Sequence, residues 1–149
     1  IEFEAAVPPA EVFTRLRRQN PSAFAAFIQR GNTAVVSSSP ERFFRIEEDR
    51  ITVAPIKGTI RRGTTPEEDA TLRKSLAESA KDRAENTMIV DLLRNDLGRI
   101  CEFGSVAVDE LCAVEEHSTL FHLVSTVRGK PRSGTGLGDV LLSFFPSGS

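Results

Sequence analysis

No run of apolar residues in this chain approaches the roughly 20 needed to cross a bilayer, and no signal peptide opens it. An excess of one charge is also missing. Nineteen Lys and Arg stand against 21 Asp and Glu, a formal net charge of −2, so nothing in the balance suggests a nucleic-acid footprint or a membrane-surface protein. Cysteine is scarce: Cys101 and Cys112 are too few for a disulfide framework, have no zinc-site spacing, and read as reduced thiols of a cytoplasmic protein. A P-loop, a dinucleotide fingerprint and a serine nucleophile elbow are all lacking, so the commonest motif-bearing enzyme classes drop out.

What is left is a globular composition, 40% hydrophobic and 27% charged, over 149 residues, enough for one domain with a moderate core. The chain begins without Met inside an apparent strand, IEFEAAV, and stops at FFPSGS where a loop is opening. Both ends read as cuts through a larger domain, so residues 1–149 are expected to be a partial domain truncated at each end.

Pattern and punctuation give the element order. PPAEVFTRLRRQ reads as a short helix with proline in its first turn and basic residues in its last. Strands are expected either side of Gly31-Asn32, and a second hairpin around Glu47 to Asp49, so that the first third forms an antiparallel meander. Thr65-Pro66-Glu67-Glu68 is a capping-box start for a helix carrying Leu72 and Leu76. Ser79 and Asp82 repeat the cap signature and predict a second helix from about Lys81, stopped by Gly98, with Asp82, Glu85, Ile89 and Leu92 along one side. Alternating strands follow in GSVAVDELCAVEEHSTLFHLVSTVRG, then a last short helix ended by Pro146. Strands, helices, then strands argue for an α+β domain with antiparallel sheet.

Several side chains could carry chemistry. Asp82 and Glu85, three apart on a helix, offer oxygen ligands of the kind Mg²⁺ takes, one or two carboxylates with water and an anionic substrate completing its shell; equally they could be a solvated helix face. Lys57, in VAPIKGTIRRG, follows an apolar approach and precedes Gly58 and the hydroxyl of Thr59. A desolvated lysine is neutral more readily and can act as a nucleophile, whereas an ordinary lysine at a strand end does nothing. Glu41 is a general acid or half of an exposed pair with Arg42. His122 is mid-strand, where histidine is commonly structural, and His117 stands among acids.

Six segments together resemble the chorismate-utilising enzymes, the family of anthranilate synthase component I, aminodeoxychorismate synthase component I, and the isochorismate and salicylate synthases. They are SPERFFRI (39–46), PIKGTIRRG (55–63), KDRAENTMIVDLLRNDLGRIC (81–101), GSVAV (104–108), FHLVSTVRG (121–129) and FFPSGS (144–149). The resemblance runs through nearly the whole chain in the family's order. It implies part of an antiparallel α/β sandwich that binds chorismate with Mg²⁺. On this resemblance Glu85 ligates the metal and Asp82 reaches it through water. Glu41 protonates the departing C4 hydroxyl, and Gly58, Thr59, His122 and Ser149 line the substrate pocket. Lys57 resembles the lysine of aminodeoxychorismate synthases, where anthranilate synthases carry alanine, and implies attack by its amine at C2 of chorismate.

The activity so implied is formation of 4-amino-4-deoxychorismate for folate synthesis, with ammonia from a glutamine amidotransferase partner. Anthranilate, isochorismate or salicylate formation is the alternative within the family, and a non-catalytic piece is the alternative for these residues alone. NPSAFAAF resembles a stretch lining a tryptophan pocket in relatives, implicating Ala23, Phe24 and Ala25, with Ala23 where proline is expected. Further family elements, a glycine-proline-lysine loop, a carboxylate-gripping arginine and additional metal-ligating glutamates, would lie past Ser149.

Overall fold

The computed structural model describes Glu4 and residues 6–146, and the chain divides into two compact units, residues 1–42 and 43–149. In the first unit, helix α1 (Pro9–Gln19) starts with proline at its first position and ends with Arg17 and Arg18, whose charge suits the negative end of the helix dipole. It precedes an antiparallel hairpin of β1 (Phe24–Arg30) and β2 (Thr33–Ser39), turned at Gly31 with φ +56°. Phe13 of α1 meets Phe27 of β1 with ring centroids 5.7 Å apart, and the Ser38 hydroxyl donates to the carbonyl of Asn20.

The expected meander is interrupted here. β1 and β2 form a two-stranded sheet of their own, and β3 (Arg45–Glu47) and β4 (Arg50–Val53) belong to a separate five-stranded sheet. Pro40, which has no N–H to give to a ladder, stands at the break, where the Ser39 hydroxyl instead receives the Glu41 N–H.

In the second unit the sheet is organised around β7 (Leu120–Gly129), a strand buried from Phe121 to Ser125. One edge of β7 pairs along its length with β6 (Ala107–Glu116). The other edge is shared: β4 covers Gly129 to Val127, and β5 (Ile56–Arg61) covers Val124 to Leu120. β4 and β5 thus run as one line beside β7, broken at Pro55, whose carbonyl accepts from the Ser125 N–H.

Two helices cover one face. α2 (Pro66–Glu78) starts as its sequence predicts, with the Thr65 hydroxyl accepting from the Glu68 N–H. α3 (Ala80–Ile100) follows with Ser79 closing one helix and capping the next. The α3 stripe that packs is Asn86, Ile89, Val90, Leu97 and Ile100, with Glu85 and Leu92 exposed beside it. Ile51, Val53, Val127, Val90 and Leu97 join Val140 and Phe144 of α4 (Leu137–Phe144) in one core cluster; Leu76, Cys112, Phe121 and Leu123 form a second. Each such side chain taken fully from water contributes about 1.5–3 kcal/mol.

Gly98 does not stop α3. The helix runs two residues further and ends where Cys101 turns extended to bridge Pro131. Its last carbonyls are taken by Arg132, whose N–H donates to Ile100 O at 2.9 Å and whose guanidinium reaches the carbonyls of Arg99 and Cys101. A tertiary cap thus replaces the expected glycine. Both cysteines are buried and unbridged, and burial pushes the Cys101 thiol up from its ordinary value. No helix of the described residues is long and apolar enough to cross a membrane.

Candidate active site

Lys57 sits at an irregularity. Between Ile56, opposite Val124, and Thr59, opposite His122, β5 carries one residue more than β7, and the extra residue falls at Lys57-Gly58. Bulges of this kind re-aim side chains and are common beside functional sites. Gly58 makes this one feasible, since φ +86° strains any residue with a β-carbon. Lys57 itself is half-buried.

Gly58 has a second constraint. A β-carbon there would lie 2.9 Å from Asp82 Cβ and 3.1 Å from Leu76 Cδ1, so the bare backbone of the bulge rests on α2 and the first turn of α3. Gly58, the neighbour of the sequence-predicted lysine, is thereby in contact with Asp82, 24 positions further along the chain.

The two carboxylates differ. Asp82, half-buried at N3 of α3, accepts from the Ser79 hydroxyl while its own N–H donates back to Ser79 Oγ. The arrangement caps α3 and places an acid at the positive end of its dipole. Glu85, about one turn on, is exposed at 47% of its side chain, with Lys81 Nζ 3.9 Å away. One accessible carboxylate and a second held by a cap match a share of what Mg²⁺ takes from a protein, which leaves remaining positions to water and substrate oxygens. Among the described residues no group of three or more His, Cys, Asp or Glu could hold a metal ion, so Asp82 and Glu85 do not by themselves form a closed cage.

Thr59 and His122 face one another across β5 and β7, with Thr59 Oγ1 2.8 Å from His122 Nδ1. His122 is buried, and the ring of His117 stands 5.1 Å from it, edge to face. By strand alternation His122 lies on the sheet face opposite Phe121, Leu123 and Ser125. The arginines after Lys57 are committed elsewhere. Arg61 pairs with Glu68 at 2.6 Å, and Arg62 holds Asp69 through both its Nε and an Nη while stacking over Phe121 at 4.5 Å.

Glu41 belongs to the first unit, half-buried just past β2, its backbone fixed by the Ser39 hydroxyl. Ala23 is exposed in the turn before β1; Phe24 and Ala25 open that strand, and Phe24 carries the Arg42 guanidinium over its ring at 5.7 Å. Ser149 lies outside the described residues.

Two residues beside these were not singled out in the sequence. Asn86 and Ser125 are both fully buried and bonded to one another, Ser125 Oγ donating to Asn86 Oδ1. A signal was present in each case: an amide on the apolar stripe of a helix, and a hydroxyl within a buried strand.

The family model of the chorismate binding enzymes matches residues 1–149, the whole of this chain. The chain belongs to that family. It is 50% identical over 142 residues to a probable chloroplastic aminodeoxychorismate synthase of Oryza sativa subsp. japonica, covering 93% of this chain and 16% of that one. It is 48% identical over 149 residues to an aminodeoxychorismate synthase of Streptomyces griseus, covering 99% of this chain and 21% of that one. The solved anthranilate synthase component I from Streptococcus pneumoniae TIGR4 superposes with TM-score 0.80 at 33% identity, over 94% of this chain and 30% of that one. The chain thus spans less than a third of each.

Proposed function

We propose that this chain belongs to an aminodeoxychorismate synthase that converts chorismate and ammonia to 4-amino-4-deoxychorismate and water, with Lys57 as nucleophile. The single observation that carries the reading is the place of Lys57 in a bulge whose glycine rests on Asp82. Support comes from the two aminodeoxychorismate synthases to which the chain is similar along nearly its full length.

The chemistry divides one displacement into two. The neutral Lys57 amine forms a bond to C2 of chorismate as the two conjugated ring double bonds shift and the C4–O bond breaks. Glu41 gives its proton to the departing hydroxide, releasing water. Ammonia then bonds to C4, both double bonds return, and the C2–N bond breaks to restore the neutral amine. The new C4 ammonium returns a proton to the Glu41 carboxylate, and the cycle closes with no oxidant or reductant. Thr59 and His122 bind and orient the ring by hydrogen bonding. Glu85 and Asp82 would hold Mg²⁺, which when bound supplies positive charge to the substrate carboxylate. Ammonia is drawn from a glutamine amidotransferase partner, a division of labour in keeping with the component naming of the solved relative.

The test is product analysis of the full-length protein given chorismate, Mg²⁺ and ammonium, resolved by chromatography. The expected product is 4-amino-4-deoxychorismate. Anthranilate or isochorismate in its place would overturn the assignment and leave the family standing.

A further inference from the structure

A buried polar hub lies between the bulge and the acidic turn. Ser125 receives the Cys112 N–H at its hydroxyl (2.8 Å), and that hydroxyl donates to Asn86 Oδ1. The Asn86 amide donates onward to the carbonyl of Leu123 at 3.2 Å. The Ser125 N–H donates to the carbonyl of Pro55, two residues before Lys57. One serine therefore ties β6, the approach to the β5 bulge, and α3. The β6 end of this web is itself an irregularity, since Cys112 adopts φ +55° where the β6 register slips against β7.

Such an arrangement is stricter than apolar packing. Both side chains are fully buried, where a polar atom without its partner is costly, so the hub admits one rotation of α3 about its axis and one offset along β7. Asn86 adjoins Glu85 and follows Asp82 by one turn, and Asp82 is the side chain on which Gly58 rests. We propose that Ser125 and Asn86 are positioning residues that set the offset between the Lys57 bulge and the Asp82–Glu85 turn. This deepens the functional reading above and rests on it for its kinetic consequence, but the geometric claim stands apart from it.

The test compares two variants of the full-length protein. Ser125→Ala removes the hydroxyl at the centre of the hub. Val140→Ala trims the core beneath α4, in a cluster that includes neither hub residue, and serves as the control for lost stability. Both are assayed for chorismate amination at a temperature well below their unfolding midpoints. Labelling of Lys57 by trinitrobenzenesulfonate is followed by peptide mass spectrometry as a readout independent of turnover. Ser125→Ala is expected to lower kcat by about 10–100-fold, the range usual for groups that orient reacting ones, and to shift the Lys57 labelling rate severalfold. Val140→Ala is expected to leave both near wild type. Asn86→Ser, which retains a hydroxyl toward Ser125 but loses the donor to Leu123, is read in the same way if Ser125→Ala does not fold. Equal effects in hub and control variants, or no effect in the hub variant, would overturn the proposal. If the wild-type protein does not aminate chorismate, the functional reading fails, and the labelling comparison still decides whether the hub positions Lys57.

Discussion

The α-carbon of Gly58 rests against the side chain of Asp82, so closely that an added β-carbon would lie 3.0 Å from the aspartate's carboxyl carbon. Through this contact the β5 bulge and the first turn of α3 share one position. Gly58→Ala should therefore act twice, through a strained backbone at φ +86° and through displacement of Asp82. A loss of about 1–3 kcal/mol in unfolding free energy is expected from the strained residue, measured by chemical denaturation. A variant as stable as wild type would show that the bulge relaxes freely.

Ser79 joins α2 to α3 and caps the second helix through Asp82. Ser79→Ala should lower stability by about 0.5–2 kcal/mol, the usual worth of a helix cap. Ser79→Asp, which keeps a capping oxygen but sets a second carboxylate beside Asp82, should restore less than Ser79→Thr. Equal stability of all three variants in denaturant titration would show that the cap does not hold α3.

The turn between β5 and α2 sets an acid limit on stability. Glu68 accepts from the Thr64 N–H and hydroxyl and from Arg61, and these bonds lower its carboxyl from an ordinary 4.5 to about 2. Asp69 is lowered in the same direction, chiefly by Arg62. A depressed carboxyl adds stability that is fully present above its unfolded pKa and lost as pH falls through the folded value. The unfolding midpoint should thus decline as pH is brought from about 4.5 down to about 2, and Glu68→Gln should flatten that decline. Identical acid profiles for wild type and Glu68→Gln would contradict this.

Local signals were legible wherever one residue decides them. Thr65 and Ser79 announced both helix starts, and Gly31 the first hairpin turn. What depends on distant partners was not. α3 overran Gly98 because Arg132, 32 positions past Ile100, supplies the closing bonds. β1 and β2 pair with each other and not with β3 or β4 because pairing is chosen among strands, and β4 found β7 in place of a continuous meander. At the site, Lys57, Asp82 and Glu85 were visible as residue types, and Thr59 and His122 as members of a resemblance; the β5 bulge whose Gly58 rests on Asp82 was not. A register shift exists only between two strands, and a single strand's sequence does not show where its partner gains or lags. Asn86 and Ser125 escaped notice for the same reason, since each has meaning only through the other.

Lys57 bears the central claim, and its removal tests it most directly. In the full-length protein, chorismate amination with ammonium is measured for Lys57→Ala beside wild type, with the unfolding midpoint confirmed to be unchanged. The expected result is a fall in kcat of about a thousandfold or more, as for loss of a covalent nucleophile. Amination by Lys57→Ala at the wild-type rate would make Lys57 a bystander and contradict the covalent mechanism.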